Sequence, residues 1–151
     1  KDHQIRRSSL NKILARDNVG QIFESKFVIK FWENLDRKRI KCTDIHHLSE
    51  VESKTAKKKV LAIAGIGVPN KFFLTLKSLG LDFDALPLNN HEKDINDIID
   101  RVDISDYDLI LTTEKDGVKV TPGNKEIVRK LWKLITELHL PDDFYRKLIE
   151  E

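Results

Sequence analysis

The sequence predicts an α/β fold, namely a mostly parallel sheet sandwiched by helices, with a small N-terminal β-hairpin linker. Two observations carry this prediction. From residue 60 onward, short apolar runs of strand length alternate with segments whose apolar residues recur at helical spacing. In addition, the run Val60–Ala64 is apolar throughout, as is typical of strands buried on both faces of a sheet. Alternating strands and helices form parallel sheets that helices cover.

Three segments are predicted along the chain. Residues 1–20 are polar and basic and form a tail or a partial helix. Residues 21–58 form a β-hairpin linker and a polar connector, because 22–32 is rich in β-branched and aromatic residues and a short strand over 39–42 follows a polar turn. Residues 59–151 form the C-terminal α/β domain.

Within this domain, apolar spacing and chain-breaking residues define the elements. Gly80 and Pro141 stop the segments before them. The segment 132–140 alternates like a strand, although a helix also fits its composition. Either Asp142 or Asp143 caps the last helix. The predicted elements are strands over 60–64, 81–86 and 109–113, and helices over 70–79, 94–102, 125–130 and 144–150.

Composition limits the classes of function. The 151 residues suit one domain, and a net charge of +2 is too small to indicate nucleic acid as the main partner. Cys42 is the single cysteine, which excludes an internal disulfide and indicates a reducing compartment. His46 and His47 beside it lack a zinc-binding spacing, so no metal site is predicted. Because the sequence contains no methionine, we expect a piece of a longer protein.

A glycine loop follows the first strand of the domain. Gly65 and Gly67 stand at the carboxyl end of that strand, where ligands bind in such sheets and where backbone amides can approach a phosphate closely. Asp84 is placed, by this interpretation, at the end of the next strand, as a ribose-binding acid would be. However, Asn70 replaces the third glycine of a dinucleotide-binding fingerprint, and Pro69 removes an amide donor. The spacing favours a structural corner and leaves phosphate binding open.

Two further stretches carry polar residues at predicted strand ends. Thr113, Glu114, Lys115 and Asp116 follow the third strand, where a lysine could pair with a phosphate and an acid could orient a hydroxyl. The alternative is a hairpin turn, because Asp-Gly between apolar runs is a hairpin signal.

The other stretch lies over 89–91. His91 could act as a base near neutral pH, or it could be a solvated surface residue. Asn89 and Asn90 supply amide groups or cap the next helix.

Three motifs taken together resemble one family. AGIGVPNKFF, LPLNNHEKDINDI and LTTEKDGVKV occur in this order and resemble the C-terminal half of tetraacyldisaccharide 4'-kinase, the lipid A 4'-kinase of Gram-negative bacteria. The family pattern is AGIG-x-P-x-x-FF, a D-H-H loop and TEKDAVK, and the resemblance covers roughly residues 21–148.

The resemblance implies two α/β domains joined by a small β-linker. In the family, the N-terminal domain holds the P-loop that binds ATP and Mg²⁺, and the C-terminal domain closes over the cleft. The γ-phosphoryl of ATP passes to the 4'-hydroxyl of a lipid A disaccharide precursor. The implied location is cytoplasmic and peripheral to the inner membrane. The P-loop pattern G-x-x-x-x-G-K-[ST] does not occur in this sequence, so the resemblance covers only the other half.

The resemblance also implies site residues. Asn89, Asn90 and His91 align with the family's aspartate and its first and second histidines and are the expected catalytic positions. Since Asn90 cannot accept and release a proton, either His91 takes that role or the site is weakened. The expected cleft-facing or phosphate-facing residues are Gly65, Gly67, Asn70, Thr113, Glu114, Lys115 and Asp116.

Two other functions stay open from the sequence. One is a small dinucleotide-binding domain that uses Gly65, Gly67 and Asp84. The other is a degenerate, non-catalytic module that binds a partner or a membrane surface through its basic segments.

Overall fold

The computed structural model describes residues 23–47, 59–65, 67–88, 95–121, 123 and 125–150. The chain divides into two compact units. The smaller unit takes in the chain up to Phe27 and the segment from Leu138 onward, and the larger unit is Val28–Glu137. The division into segments at residues 20 and 58 stays a prediction.

One six-stranded sheet runs through the chain, with the strand order β2-β1-β6-β5-β3-β4. The strands β6, β5, β3 and β4 pair in parallel, while β1 and β2 form an antiparallel hairpin at one edge. This arrangement confirms the predicted α/β class with a mostly parallel sheet. The strands are β1 (Lys26–Asn34), β2 (Arg39–Ile40), β3 (Val60–Ala64), β4 (Asp84–Pro87), β5 (Leu109–Thr113) and β6 (Leu131–His139).

Five α-helices and two short 3₁₀ segments are present among the described residues. The α1 helix begins with Pro69, which suits the first helical position because the missing amide hydrogen has no acceptor there. The helices are α1 (Pro69–Ser78), α2 (Ile95–Arg101), α3 (Glu114–Gly117), α4 (Lys125–Lys130) and α5 (Asp142–Glu150), and the 3₁₀ segments are Cys42–His47 and Ile104–Asp106.

Alternate side chains of β3 pack into two cores, one on each face of the sheet. Val60, Ala62 and Ala64 join the first core, whereas Leu61 and Ile63 join the second. This alternation explains the unbroken apolar run, because a strand buried on both faces has no polar side. The helix α1 covers the first core, and α2 and α4 cover the second, through Phe72, Phe73, Leu76, Ile95, Ile98 and Ile127.

The second predicted strand, 81–86, is wrong in its start, because β4 begins at Asp84. The cause lies in the end of α1. Gly80 has a φ of 76° and its amide donates to the Lys77 carbonyl, while the Leu81 amide donates to the Leu76 carbonyl. These two bonds form a Schellman motif, which keeps Leu81 in the helix cap and delays the strand.

Three other expectations are settled by the observed elements. The alternating segment 132–140 is a strand, because β6 pairs in parallel with β5 from Leu131 to Leu134. The hairpin turn that the sequence left open as an alternative at Asp116 is wrong. Thr113 instead caps the short helix α3, its hydroxyl accepting from the Asp116 amide at 3.2 Å. Cys42, predicted at the end of a strand, begins a 3₁₀ segment.

Candidate functional site

The carboxyl ends of β3 and β5 bring two of the sequence motifs together. The two strands are parallel neighbours, so Gly65, which follows β3, and Thr113, which ends β5, lie at the same edge of the sheet. This edge is where ligands bind in parallel α/β sheets. The glycine loop and the segment 113–117 therefore form one local structure.

A single carboxylate joins the two motifs. The Asp116 Oδ2 atom accepts a hydrogen bond from the Gly65 amide at 2.8 Å and another from the Thr113 hydroxyl at 2.8 Å. Only 2% of Asp116 is exposed, so its bond with Thr113 is buried, while its bond with the Gly65 amide is partly buried. We call Asp116, Thr113 and Gly65 the Asp116 clasp. A buried carboxylate with two donors holds a fixed position, and the clasp therefore fixes where the glycine loop leaves the sheet.

Close packing explains the first glycine of the loop. A Cβ atom added at Gly65 would lie 2.8 Å from the Leu88 Cδ1 atom and 3.3 Å from the Asp116 Oδ1 atom. Leu88 is itself held at this edge, because its amide donates to the Ala64 carbonyl at 2.8 Å. By contrast, an added Cβ at Gly67 meets no atom of the described residues within 4 Å. The structure thus supports the corner interpretation for Gly65 and leaves Gly67 with an exposed backbone.

The remaining predicted residues of this edge are exposed. Glu114 and Lys115 lie on the open side of α3, and Asn70 lies in the first turn of α1. The Lys119 ammonium is 3.8 Å from the Asp116 Oδ1 atom and is half-exposed. Chemically, this edge offers the Lys115 cation to an anionic oxygen, whereas Asp116 is occupied by its two donors.

An ion cluster centred on the buried carboxylate of Glu33 lies beside this edge and was missed by the sequence reasoning. Glu33 is 8% exposed, and its carboxylate bonds to the Lys133 ammonium at 2.9 Å and to the Arg39 guanidinium at 2.7 Å. These two hydrogen bonds, from Lys133 first and Arg39 second, hold the pKa of Glu33 below its ordinary value. The available signal was a charged residue directly after a large aromatic in each strand, namely Glu33 after Trp32 and Lys133 after Trp132.

Gly117 connects this cluster to α3. An added Cβ at Gly117 would lie 2.9 Å from the Lys133 Cβ atom and 3.2 Å from the Thr112 Cγ2 atom. The family pattern has alanine at this position, so Lys133 packs against the space that the alanine would fill. The Thr112 hydroxyl is also buried here, and it has no hydrogen-bond partner among the described residues.

The structure contradicts the predicted place of Asp84. Asp84 is the first residue of β4 and pairs with Leu61, so it lies at the amino end of the strand. At roughly 3.3 Å per residue, the rest of β3 puts it about 13 Å from Gly65. Burial, and after it a hydrogen bond from the Tyr107 hydroxyl to Asp84, raises the pKa of that tyrosine. A ribose-binding role beside the glycine loop is therefore wrong.

The predicted catalytic positions Asn89, Asn90 and His91 lie outside the described residues, and their role stays a prediction.

In the part of the chain that the structure does describe, no group of three His, Cys, Asp or Glu side chains could hold a metal ion. Cys42 is a free, half-buried thiol whose pKa burial raises. None of the helices in these described ranges is long and apolar enough to span a membrane.

Comparisons with known proteins agree with the three motifs. Curated relatives named tetraacyldisaccharide 4'-kinase include those of Herminiimonas arsenicoxydans, 35% identical over 96 residues, and Legionella pneumophila (strain Lens), 34% identical over 97 residues. That of Neisseria gonorrhoeae is 36% identical over 99 residues. These matches cover 62%, 64% and 60% of this chain, respectively.

The matched region is 26%, 28% and 27% of those three relatives, so the match spans only about a quarter of their length. No solved structure gives a significant match. The family model described as Tetraacyldisaccharide-1-P 4'-kinase matches residues 7–151, which is nearly the whole chain. The resemblance drawn from the motifs is thereby confirmed, and the chain belongs to the tetraacyldisaccharide 4'-kinase family.

Proposed function

We propose that this chain is the C-terminal part of an ATP-dependent lipid A 4'-kinase. The enzyme transfers the γ-phosphoryl of ATP to the 4'-hydroxyl of a lipid A disaccharide precursor. Family membership and the names of the relatives support this reaction. The observation that carries it is the Asp116 clasp, because it joins two family motifs at the ligand-binding edge of a parallel sheet.

In this proposal the exposed side chains of the edge face the phosphoryl group. Phosphoryl transfer depends mainly on positioning and on neutralising negative charge. Lys115 is exposed beside the clasp and supplies a cation for a phosphate oxygen. Asp116 and Gly65 are positioning residues, since their hydrogen bond holds the loop and α3 together. His91 takes the role of general base, with Asn89 and Asn90 beside it.

The residues of this half fit the phosphate groups better than they fit Mg²⁺. Lys115 suits a phosphate oxygen, whereas the Asp116 carboxylate is buried and already accepts two hydrogen bonds. Asp116 is therefore not a fitting Mg²⁺ ligand. We assign Mg²⁺ and most of the ATP contacts to the P-loop half, which this sequence does not contain.

The proposed location follows from the substrate. A lipid A precursor is anchored by its acyl chains, so the kinase works in the cytoplasm at the surface of the inner membrane. The partners of the complete kinase are then this lipid, ATP and the membrane surface, without nucleic acid.

The test is transfer of labelled γ-phosphate from ATP to the lipid A disaccharide precursor. The chain is assayed alone and together with a P-loop-containing N-terminal half. We expect transfer only in the mixture. Robust transfer by the 151 residues alone would contradict the proposal, as would silence in a mixture shown to associate. The latter result would favour a degenerate binding module.

The variant Lys115→Ala separates a role in phosphate contact from a role in folding. We expect transfer in the mixture to fall about 100-fold, in the range for the loss of one preorganised charge-stabilising donor. The free energy of unfolding should change by less than about 0.5 kcal/mol, because Lys115 is exposed. Lys125→Ala, an exposed lysine on α4, is the matched control and should leave transfer unchanged. If Lys115→Ala transfers phosphate as well as the control variant does, Lys115 is not part of the site.

A further inference from the structure

The outer face of α1 combines two cations with an exposed leucine. Lys71, Leu74 and Lys77 recur every three residues, so their side chains share one side of the helix. Leu74 is 65% exposed, and Val68, just before the helix, is 51% exposed. The opposite side of the helix carries the buried residues of the first core. Because the opposite side of α1 is packed in the core, the helix holds Leu74 in its exposed position between the two lysines.

No carboxylate neutralises this face from within the helix. The sequence from 67 to 81 contains no aspartate or glutamate, and Lys71 and Lys77 form no ion pair with any residue in the described ranges. A second helix with exposed apolar side chains, α5, differs in this respect. It exposes Tyr145 and Leu148, but it begins with two aspartates. Of these two helices, α1 alone presents an uncompensated positive charge around its exposed leucine.

An apolar groove runs beside the same face of α1. It lies between α1 and the edge strand β4 and has a volume of about 390 Å³. Two aromatic rings line it, Phe73 and Phe83, whose centroids are 6.0 Å apart. The groove therefore extends the apolar surface of Leu74 toward the edge of the sheet. Its lining residues are Asn70, Phe73, Leu74, Lys77, Phe83 and Ala85.

We propose that this face of α1, defined by Lys71, Leu74 and Lys77 with the adjacent groove, docks the protein on an anionic lipid bilayer. Leu74 enters the headgroup–acyl boundary, and the two ammonium groups meet lipid phosphates. Charge complementarity is the reason for choosing a bilayer, since cations flanking an apolar centre match an anionic surface above a hydrocarbon layer. The proposal deepens the membrane-surface location proposed above and rests on it.

The test is sedimentation with vesicles of phosphatidylglycerol and phosphatidylethanolamine at low salt. We expect Leu74→Ser to weaken binding about tenfold, the effect of withdrawing one leucine side chain. The double variant K71E/K77E should weaken it further and should reduce its dependence on salt. All three positions are exposed, so folding should be unaffected, which circular dichroism checks. Leu148→Ser is the matched control, because Leu148 is 62% exposed, and it should bind like the parent chain.

Each other outcome overturns the proposal in a distinct way. If the parent chain does not bind these vesicles, the docking face is wrong, while the transfer assay judges the kinase reaction independently. If the α1 variants bind as the parent does, only the docking face is wrong. If Leu148→Ser loses binding instead, α5 holds the bilayer contact. If the α1 variants keep vesicle binding but lose association with the P-loop half, the face contacts protein.

Discussion

Replacing Asp116 by alanine tests whether one carboxylate holds the candidate site together. In the parent chain, Oδ2 accepts from the Gly65 amide and from the Thr113 hydroxyl, both at 2.8 Å, in surroundings that leave Asp116 2% exposed. Alanine removes both acceptor contacts. The Thr113 hydroxyl then loses its partner at a buried position, and the Gly65 amide loses its partner at a partly buried one.

The expected magnitude follows from these two bonds. A hydrogen bond to a charged group contributes about 1.5–3 kcal/mol, so two of them contribute roughly 3–6 kcal/mol. The variant also removes the desolvation cost of a buried carboxylate, which offsets part of the loss. We therefore expect a decrease of about 3 kcal/mol in the free energy of unfolding. For a chain of this size, that corresponds to a lowering of the melting temperature by about 10 °C.

The assay is urea denaturation followed by far-UV circular dichroism. Asp116→Asn should cost only about 1 kcal/mol, because its amide oxygen can still accept where the carboxylate did. Glu114→Ala is the control, since it removes an exposed carboxylate from the same helix and should stay within about 0.5 kcal/mol of the parent. A loss below about 1 kcal/mol for Asp116→Ala, or a loss equal to that of the control, would refute the structural role of the clasp.

Two further predictions concern the ion cluster beside this edge. Gly117→Ala should lower stability by about 1–3 kcal/mol, because the new Cβ would lie 2.9 Å from that of Lys133. Thermal melting against Gly123→Ala, where nothing lies within 4 Å, measures this, and equal melting temperatures would contradict it. Lys133→Met should cost about 1–2 kcal/mol at pH 7, because it leaves Glu33 paired with Arg39 alone. The folded state depresses the pKa of Glu33. The ion pairs of Glu33 therefore stabilise the fold fully above about pH 4.5, and they lose this effect as the pH falls through the folded-state pKa. Urea titrations from pH 7 to 3 should show a smaller decline for Lys133→Met than for the parent, and parallel curves would sink this reasoning.

The sequence alone determined the class of fold and the family. The unbroken apolar run 60–64 and the mainly apolar run 109–113 predicted two strands at their observed bounds, because a strand buried on both faces needs no polar side. The apolar spacing after Asn70 placed α1 within one residue at each end. The motifs AGIGVPNKFF and LTTEKDGVKV identified the family without any structure, since family signatures are local strings of residues.

The tertiary structure decided what those motif residues do. Gly65 and Asp116 are 51 positions apart, and only the parallel pairing of β3 with β5 brings them to one hydrogen bond. The same register places Asp84 at the amino end of its strand, away from Gly65, which the order of residues could not reveal. The packing of Lys133 against Gly117 likewise joins two separate segments of the chain. Spacing along a chain encodes which side of a strand or helix a residue faces, whereas contacts between distant residues depend on strand order and register.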